Sequence, residues 1–131
     1  MEKIIKIFFN LSSIYNILFI IFHLMFWKLF KWNTDLKKIS FINKQVMQIF
    51  NICLMIFFSI MSITTLFFQN EILNTNLGIA LLIMFSTFWF LRTIQQIIFF
   101  GFKKIFSTIL IVIFLIGSII YIIPVYLILK Y

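Results

Sequence analysis

Four long apolar stretches, divided by short polar ones, run the length of the chain. They extend from about Ile4 to Trp27, Phe41 to Phe68, Leu77 to Phe100 and Ile105 to Leu129. Each is long enough to supply the ~20 helical residues that a ~30 Å hydrocarbon layer requires. None alternates in polarity over ~10 residues, as a transmembrane β-strand would. Nor does any stretch confine its apolar residues to one face, which suits helices surrounded by lipid and by each other. The pattern predicts an all-α integral membrane protein, a four-helix transmembrane bundle in which residues 1–131 form one domain without repeats or linkers.

The polar interruptions define the connections. Between the first two stretches, Lys28 to Ser40 carries Leu29, Trp32, Leu36 and Ile39 at helical spacing with lysines on the other faces. This fits a short segment lying at the headgroups, although a solvated loop has nearly the same signature. The second connection, Gln69 to Asn76, is polar and holds Glu71 but no lysine or arginine. Gly101 to Lys104 is so short that the last two helices should be antiparallel neighbours. The opening residues Met1 to Lys6 and the apolar run behind them resemble a secretion signal. No small-x-small cleavage site follows, and Asn10, Ser12, Ser13 and Asn16 interrupt the run, so a retained first helix is expected. Pro124 falls late in the fourth helix, where a kink or an early end is tolerable in lipid.

Composition sharpens the class. Hydrophobic residues make up 64% of the chain and charged ones 11%, against roughly a quarter charged in soluble domains. A water-soluble fold is excluded on that ground. The 20 Phe carry no functional weight as a count, because a membrane core accepts Phe, Ile or Leu at similar cost. With one alanine (Ala80) and three glycines, close helix contacts must rely on Ser, Thr, Gly78 and Gly117. Cys53, the single cysteine, permits no disulfide within the chain and is expected to be a small buried hydrophobe.

The net charge of +8 raises the question of nucleic acid. Because the lysines flank hydrophobic segments, anionic lipid is the better partner and no nucleic acid is expected. Lys28, Lys31, Lys37, Lys38, Lys44, Lys103 and Lys104 fall on one side; Lys3, Lys6 and Lys130 fall on the other. The excess of basic residues puts loops 28–40 and 101–104 in the cytoplasm and both termini outside, with the lysines before the first helix pulling the other way.

Polar side chains within the apolar stretches are the candidates for function. Arg92 is the one arginine and lies well inside an apolar stretch, where the mid-membrane insertion cost is roughly 2.5–3.5 kcal/mol. Gln96 shares its face four residues on, Gln95 lies three on, and Trp89 sits on the adjacent turn. At the start of the second helix, Asn43 is followed by Gln45, Gln48 and Asn51, a stripe that drifts because its period is three. The first helix aligns Ser12, Asn16, His23 and Trp27, and the fourth offers Ser107, Thr108, Ser118 and Tyr121. Alternating helix direction brings His23, the Asn43 to Asn51 stripe and Arg92, Gln95 and Gln96 to the lysine-rich side. A polar cluster in that half of the bundle is expected if these faces point inward. Such a cluster is more often hydrogen-bonded glue, worth about 0.6–2 kcal/mol per contact. The other reading is a pocket for a lipid headgroup, a quinone or another anionic ligand. His23 could ligate haem only with Met47, Met55 or a second chain as partner. A hydrogen-bonded structural histidine is the commoner outcome, so no cofactor, metal site or catalytic residue is expected.

Asn43-Lys44-Gln45, with Phe88-Trp89, Arg92 and Gln96, resembles a pattern in a group of small four-helix bacterial membrane proteins: N-[KR]-Q before one helix and F-W-x-x-R-x-x-x-Q in the next. The resemblance covers about Asn43 to Phe100. It implies a bacterial inner-membrane bundle and marks Asn43, Gln45, Trp89, Arg92 and Gln96, but the group has no assigned activity.

The expectation is therefore a non-enzymatic accessory or binding subunit of the bacterial inner membrane. Membrane lipids are its partners, with a second copy or another membrane protein possible. The alternative is a small transporter or channel protomer acting as an oligomer. Four-helix drug exporters resemble it in architecture but place a carboxylate within the first helix, whereas Glu2, Asp35 and Glu71 all lie outside the cores.

Overall fold

The computed structural model describes residues 1–130, and all regular structure in them is helical. Four long helices, α1 (Glu2–Leu24), α4 (Phe41–Phe67), α6 (Asn76–Phe100) and α7 (Ile105–Lys130), are long and apolar enough to cross a membrane. Three short ones fill the connections: α2 (Phe26–Leu29), α3 (Trp32–Asp35) and α5 (Gln69–Asn74).

Local chemistry explains the boundaries. The first helix breaks at Met25, short of the expected Trp27, and α2 continues for one turn. Lys31 then adopts a left-handed conformation at φ 50° and ψ 40°, which ends a helix because the next N–H no longer points along the axis. The expected interfacial segment is thus two helical turns with a reversal between them. Trp32 and Leu36 are buried while Leu29 and Ile39 are exposed, and the Trp32 ring packs edge-on to Phe26 and Trp27. At the head of α4, the Ser40 hydroxyl accepts the Asn43 N–H at 3.3 Å. The Thr75 hydroxyl does the same for Gly78 at 3.0 Å at the head of α6. Such side-chain caps satisfy donors that a helix start otherwise leaves bare. Ile72 of α5 is buried against Gly78, where any Cβ would run into the Ile72 backbone. Gly101, at φ 63°, closes α6 and starts the short turn into α7.

Backbone packing is closest between α6 and α7, then between α1 and α4, then between α1 and α7. The long helices therefore follow the order α4–α1–α7–α6, and α4 meets α6 through large rings: Phe57 on Phe88, and Phe58 stacked on Trp89. Trp89 is the hub, fully buried and in ring contact with Tyr15, Phe19, Phe58, Phe88 and Phe114. Small residues act where their scarcity says they must. A Cβ on Gly117 would lie 2.5 Å from the Tyr15 hydroxyl and 2.9 Å from Trp89 Cγ. Serine pairs join the helices: Ser13 and Ser62 hydroxyls lie 2.6 Å apart, and the Ser86 hydroxyl donates to the Ser118 carbonyl at 2.9 Å. Asn16 donates to the Ser12 carbonyl and to the Tyr121 hydroxyl.

Large apolar side chains cover the outside of all four long helices. Continuous apolar surface of that extent is foreign to soluble monomers and, with four helices long and apolar enough to span a bilayer, suggests a multi-pass membrane protein. One expectation needs correction: Cys53 is exposed rather than buried. Pro124 is buried inside α7, which runs on to Lys130.

Candidate functional site

Where the lysine-bearing connections meet the bundle, a cavity of about 570 Å³ opens between the helices. All four long helices line it, so its shape depends on the whole packing arrangement rather than on one segment. Phe19, Phe22, Phe58, Phe88, Trp89 and Phe114 form the inner walls; Phe26 and Phe30 of the α2 region and Phe99 and Phe100 stand nearer the mouth. The polar groups are few: His23, Arg92, Gln96 and Ser107, with Lys103 and Lys104 in the α6–α7 turn. A mostly apolar lining with a few convergent polar groups is the usual build of a small-molecule site.

The helical geometry of α6 sets this up. Trp89, Arg92 and Gln96 lie three and four residues apart, so one face carries all three. Trp89 and Gln96 are buried at 0% and 2% exposure, while Arg92 is half-buried. The guanidinium donates to Gln96 Oε1 at 3.4 Å, and its Cζ lies 4.7 Å from the centre of the Phe114 ring. Gln96 in turn donates to the Ser107 hydroxyl at 3.1 Å, and that hydroxyl donates to the Gly101 carbonyl at 2.7 Å. This relay ties the arginine to the α6–α7 turn. No acidic residue lines the cavity. Glu2 pairs with Lys6 at 2.6 Å and Asp35 with Lys38 at 2.8 Å, so Arg92 has no ion-pair partner among the described residues.

On the opposite wall, His23 Nδ1 lies 2.6 Å from Asn51 Oδ1, and the Asn51 amide donates to the His23 carbonyl at 3.2 Å. The imidazole stacks on Phe26 with ring centres 4.3 Å apart. A two-point bond of this kind locks α1 to α4 and fixes which edge of the ring faces the cavity. Among the described residues no group of three or more His, Cys, Asp or Glu is placed to hold a metal ion.

Of the nine residues singled out in the sequence, His23, Trp89, Arg92 and Gln96 line the cavity, and Asn51 braces it from behind through His23. The other four stand apart. Gln95 is exposed, since adjacent helical positions point about 100° apart and Gln96 holds the inner face. Asn43 is exposed in the first turn of α4, and Gln45 and Gln48 are only partly covered. A stripe of period three rotates by about 60° per step on a helix of 3.6 residues per turn, so only its last member, Asn51, reaches the bundle interior. Ser107, one of the polar residues the fourth helix offers, joins the lining, as do Lys103 and Lys104, which sequence reasoning placed only among the loop charges. The available signal for the two lysines was their position in a tight turn right after the helix end that carries Arg92 and Gln96. Comparison with protein-family models, with curated proteins and with solved structures found no match for this chain, so its chemistry is argued from its own residues.

Proposed function

We propose that this chain is a non-enzymatic protein of the bacterial inner membrane that holds the head of a lipid or quinone in the cavity around Arg92. In this reading the α6–α7 turn and the segment between α1 and α4 face the cytoplasm and both termini lie outside, as the distribution of lysines favours. It serves as an accessory or binding subunit for a ligand that reaches it through the bilayer.

The observation that carries the reading is Arg92 itself. An arginine has five N–H donors in a planar fork; here one of them meets the neutral Gln96 oxygen and no carboxylate is near. A cation kept at that depth without a counter-charge costs free energy, and burial of this kind marks a functional residue by default in a membrane protein. Structural glue would need Arg92 to satisfy other helices. Its one hydrogen bond among the described residues stays within its own helix, and its contact with α7 is with the face of the Phe114 ring; the interhelical hydrogen bonds are made by serines, Asn16, Tyr15, Gln96 and the His23–Asn51 pair.

Mass spectrometry of the gently extracted protein beside its Arg92→Gln variant tests this. The wild type is expected to carry a stoichiometric lipid or quinone that the still-folded variant has lost. Two empty preparations, with a variant that merely unfolds at lower temperature, would return the polar cluster to a structural role.

A further inference from the structure

The donors around the cavity are more selective than a general affinity for amphiphiles requires. Three cations, Arg92, Lys103 and Lys104, line it with no acid among the lining residues. The start of α7 lies there too, since Phe106 and Ser107 belong to the wall. The backbone ladder of α7 opens with the bond from the Thr108 N–H to the Lys104 carbonyl at 3.1 Å, so the N–H groups of Ile105, Phe106 and Ser107 stand ahead of it. The start of a helix of this length favours an anion through its aligned N–H groups and its dipole.

We infer that the cavity takes a phosphate-bearing amphiphile, its apolar tail among the phenylalanines and its phosphate between Arg92, Lys103, Lys104 and the first turn of α7. This rests on the ligand-binding reading above and narrows it to one chemical class. A phosphate offers three strong acceptor oxygens and up to two negative charges, which matches three cations and a helix start. A carboxylate has two oxygens and one charge, and a quinone has no formal charge to balance. Arg92 supplies the planar fork that suits an oxyanion, and the lysines act as point charges at the mouth. The apolar share of the lining selects against free phosphate, which would leave the phenylalanine walls unfilled.

The test is calorimetric titration of the protein in micelles of the uncharged, phosphate-free glycoside detergent dodecyl maltoside, with protein-free micelles as blanks. The probes are decyl phosphate, decanoate, uncharged decyl glycerol and inorganic phosphate. Decyl phosphate is expected to bind one-to-one and about tenfold or more tightly than decanoate or decyl glycerol. Inorganic phosphate is expected to give no measurable heat over the same range. Lys103→Gln with Lys104→Gln, both in an exposed turn, should weaken decyl phosphate by about fivefold per lysine and leave decyl glycerol unchanged. Arg92→Lys should also lose affinity for decyl phosphate despite keeping its charge.

The failures separate. Equal binding of decyl phosphate and decyl glycerol would overturn the phosphate assignment and leave the amphiphile reading standing. Decanoate binding as tightly as decyl phosphate would overturn it in favour of a carboxylate. Inorganic phosphate binding as tightly as decyl phosphate would make the site one for a free anion and the tail irrelevant. No heat from any probe would bring down the binding reading as a whole.

Discussion

Gly117 shows how one missing side chain sets the position of three helices. Its hydrogen faces the Tyr15 hydroxyl and the Trp89 ring, and that hydroxyl donates to the Ile113 carbonyl at 2.8 Å, one turn earlier on α7. Gly117→Val should therefore lower stability by about 1–3 kcal/mol, the usual cost of overpacking, read as an earlier thermal transition in detergent. An unchanged transition would mean that α1, α6 and α7 can separate there without loss. Asn51→Leu removes both bonds to His23 and should cost about 0.6–2 kcal/mol, measurable in the same way. At this scale the sequence was informative where spacing fixed a face. His23 lies seven residues beyond Asn16 and eleven beyond Ser12, and all three are buried. It was uninformative for phenylalanine, because outward-facing Phe67 and wall-forming Phe58 look alike until packing tells them apart. The aromatic walls of the cavity were invisible for that reason, and so was the outward turn of Cys53.

Elements divided in the same manner. The four long helices could be read because charged and amide residues crowd together where the chain turns, while those inside the runs, such as Asn16, Asn51 and Arg92, are too sparse to break them. The short helices could not, since one turn has too few residues to show a period. Their order depends on tertiary contacts such as Trp32 on Phe26 and Ile72 under Gly78. A pH effect belongs to α3. Lys38, bonded to the Asp35 carboxylate and adding its charge, holds that carboxyl below its ordinary 3.8. A depressed carboxyl contributes its stabilisation in full above the unfolded value and loses it as the pH falls through the folded one. Trp32 emission should accordingly be steady above about pH 4 and change on stronger acidification, and Asp35→Asn should remove that acid-induced step. The pair is fully exposed, so the effect is confined to this segment. An Asp35→Asn variant with an identical acid response would assign the change elsewhere.

For the whole molecule, orientation is the first question. In a Cys53→Ser background, Lys38→Cys and Glu71→Cys lie in successive connections and should react with an impermeant maleimide from opposite sides, Lys38→Cys from the cytoplasm. Labelling of both from one side would break the four-span topology, and Lys38→Cys reacting from outside would invert it. The bundle has a further consequence at this scale, which follows from the order α4–α1–α7–α6. Its ends, α4 and α6, are held together mainly by rings, and Phe57 and Phe88 on that line are only partly buried. This is a seam closed by side chains rather than by backbone contact, and in a bilayer-spanning bundle it would face the fatty-acyl interior. A tail could pass through it sideways while its head travels along the membrane surface, without either crossing water. Shortening Phe57 or Phe88 would then act as propping a door open: exchange of a bound amphiphile should speed up in both directions, with little change in how tightly its head is finally held.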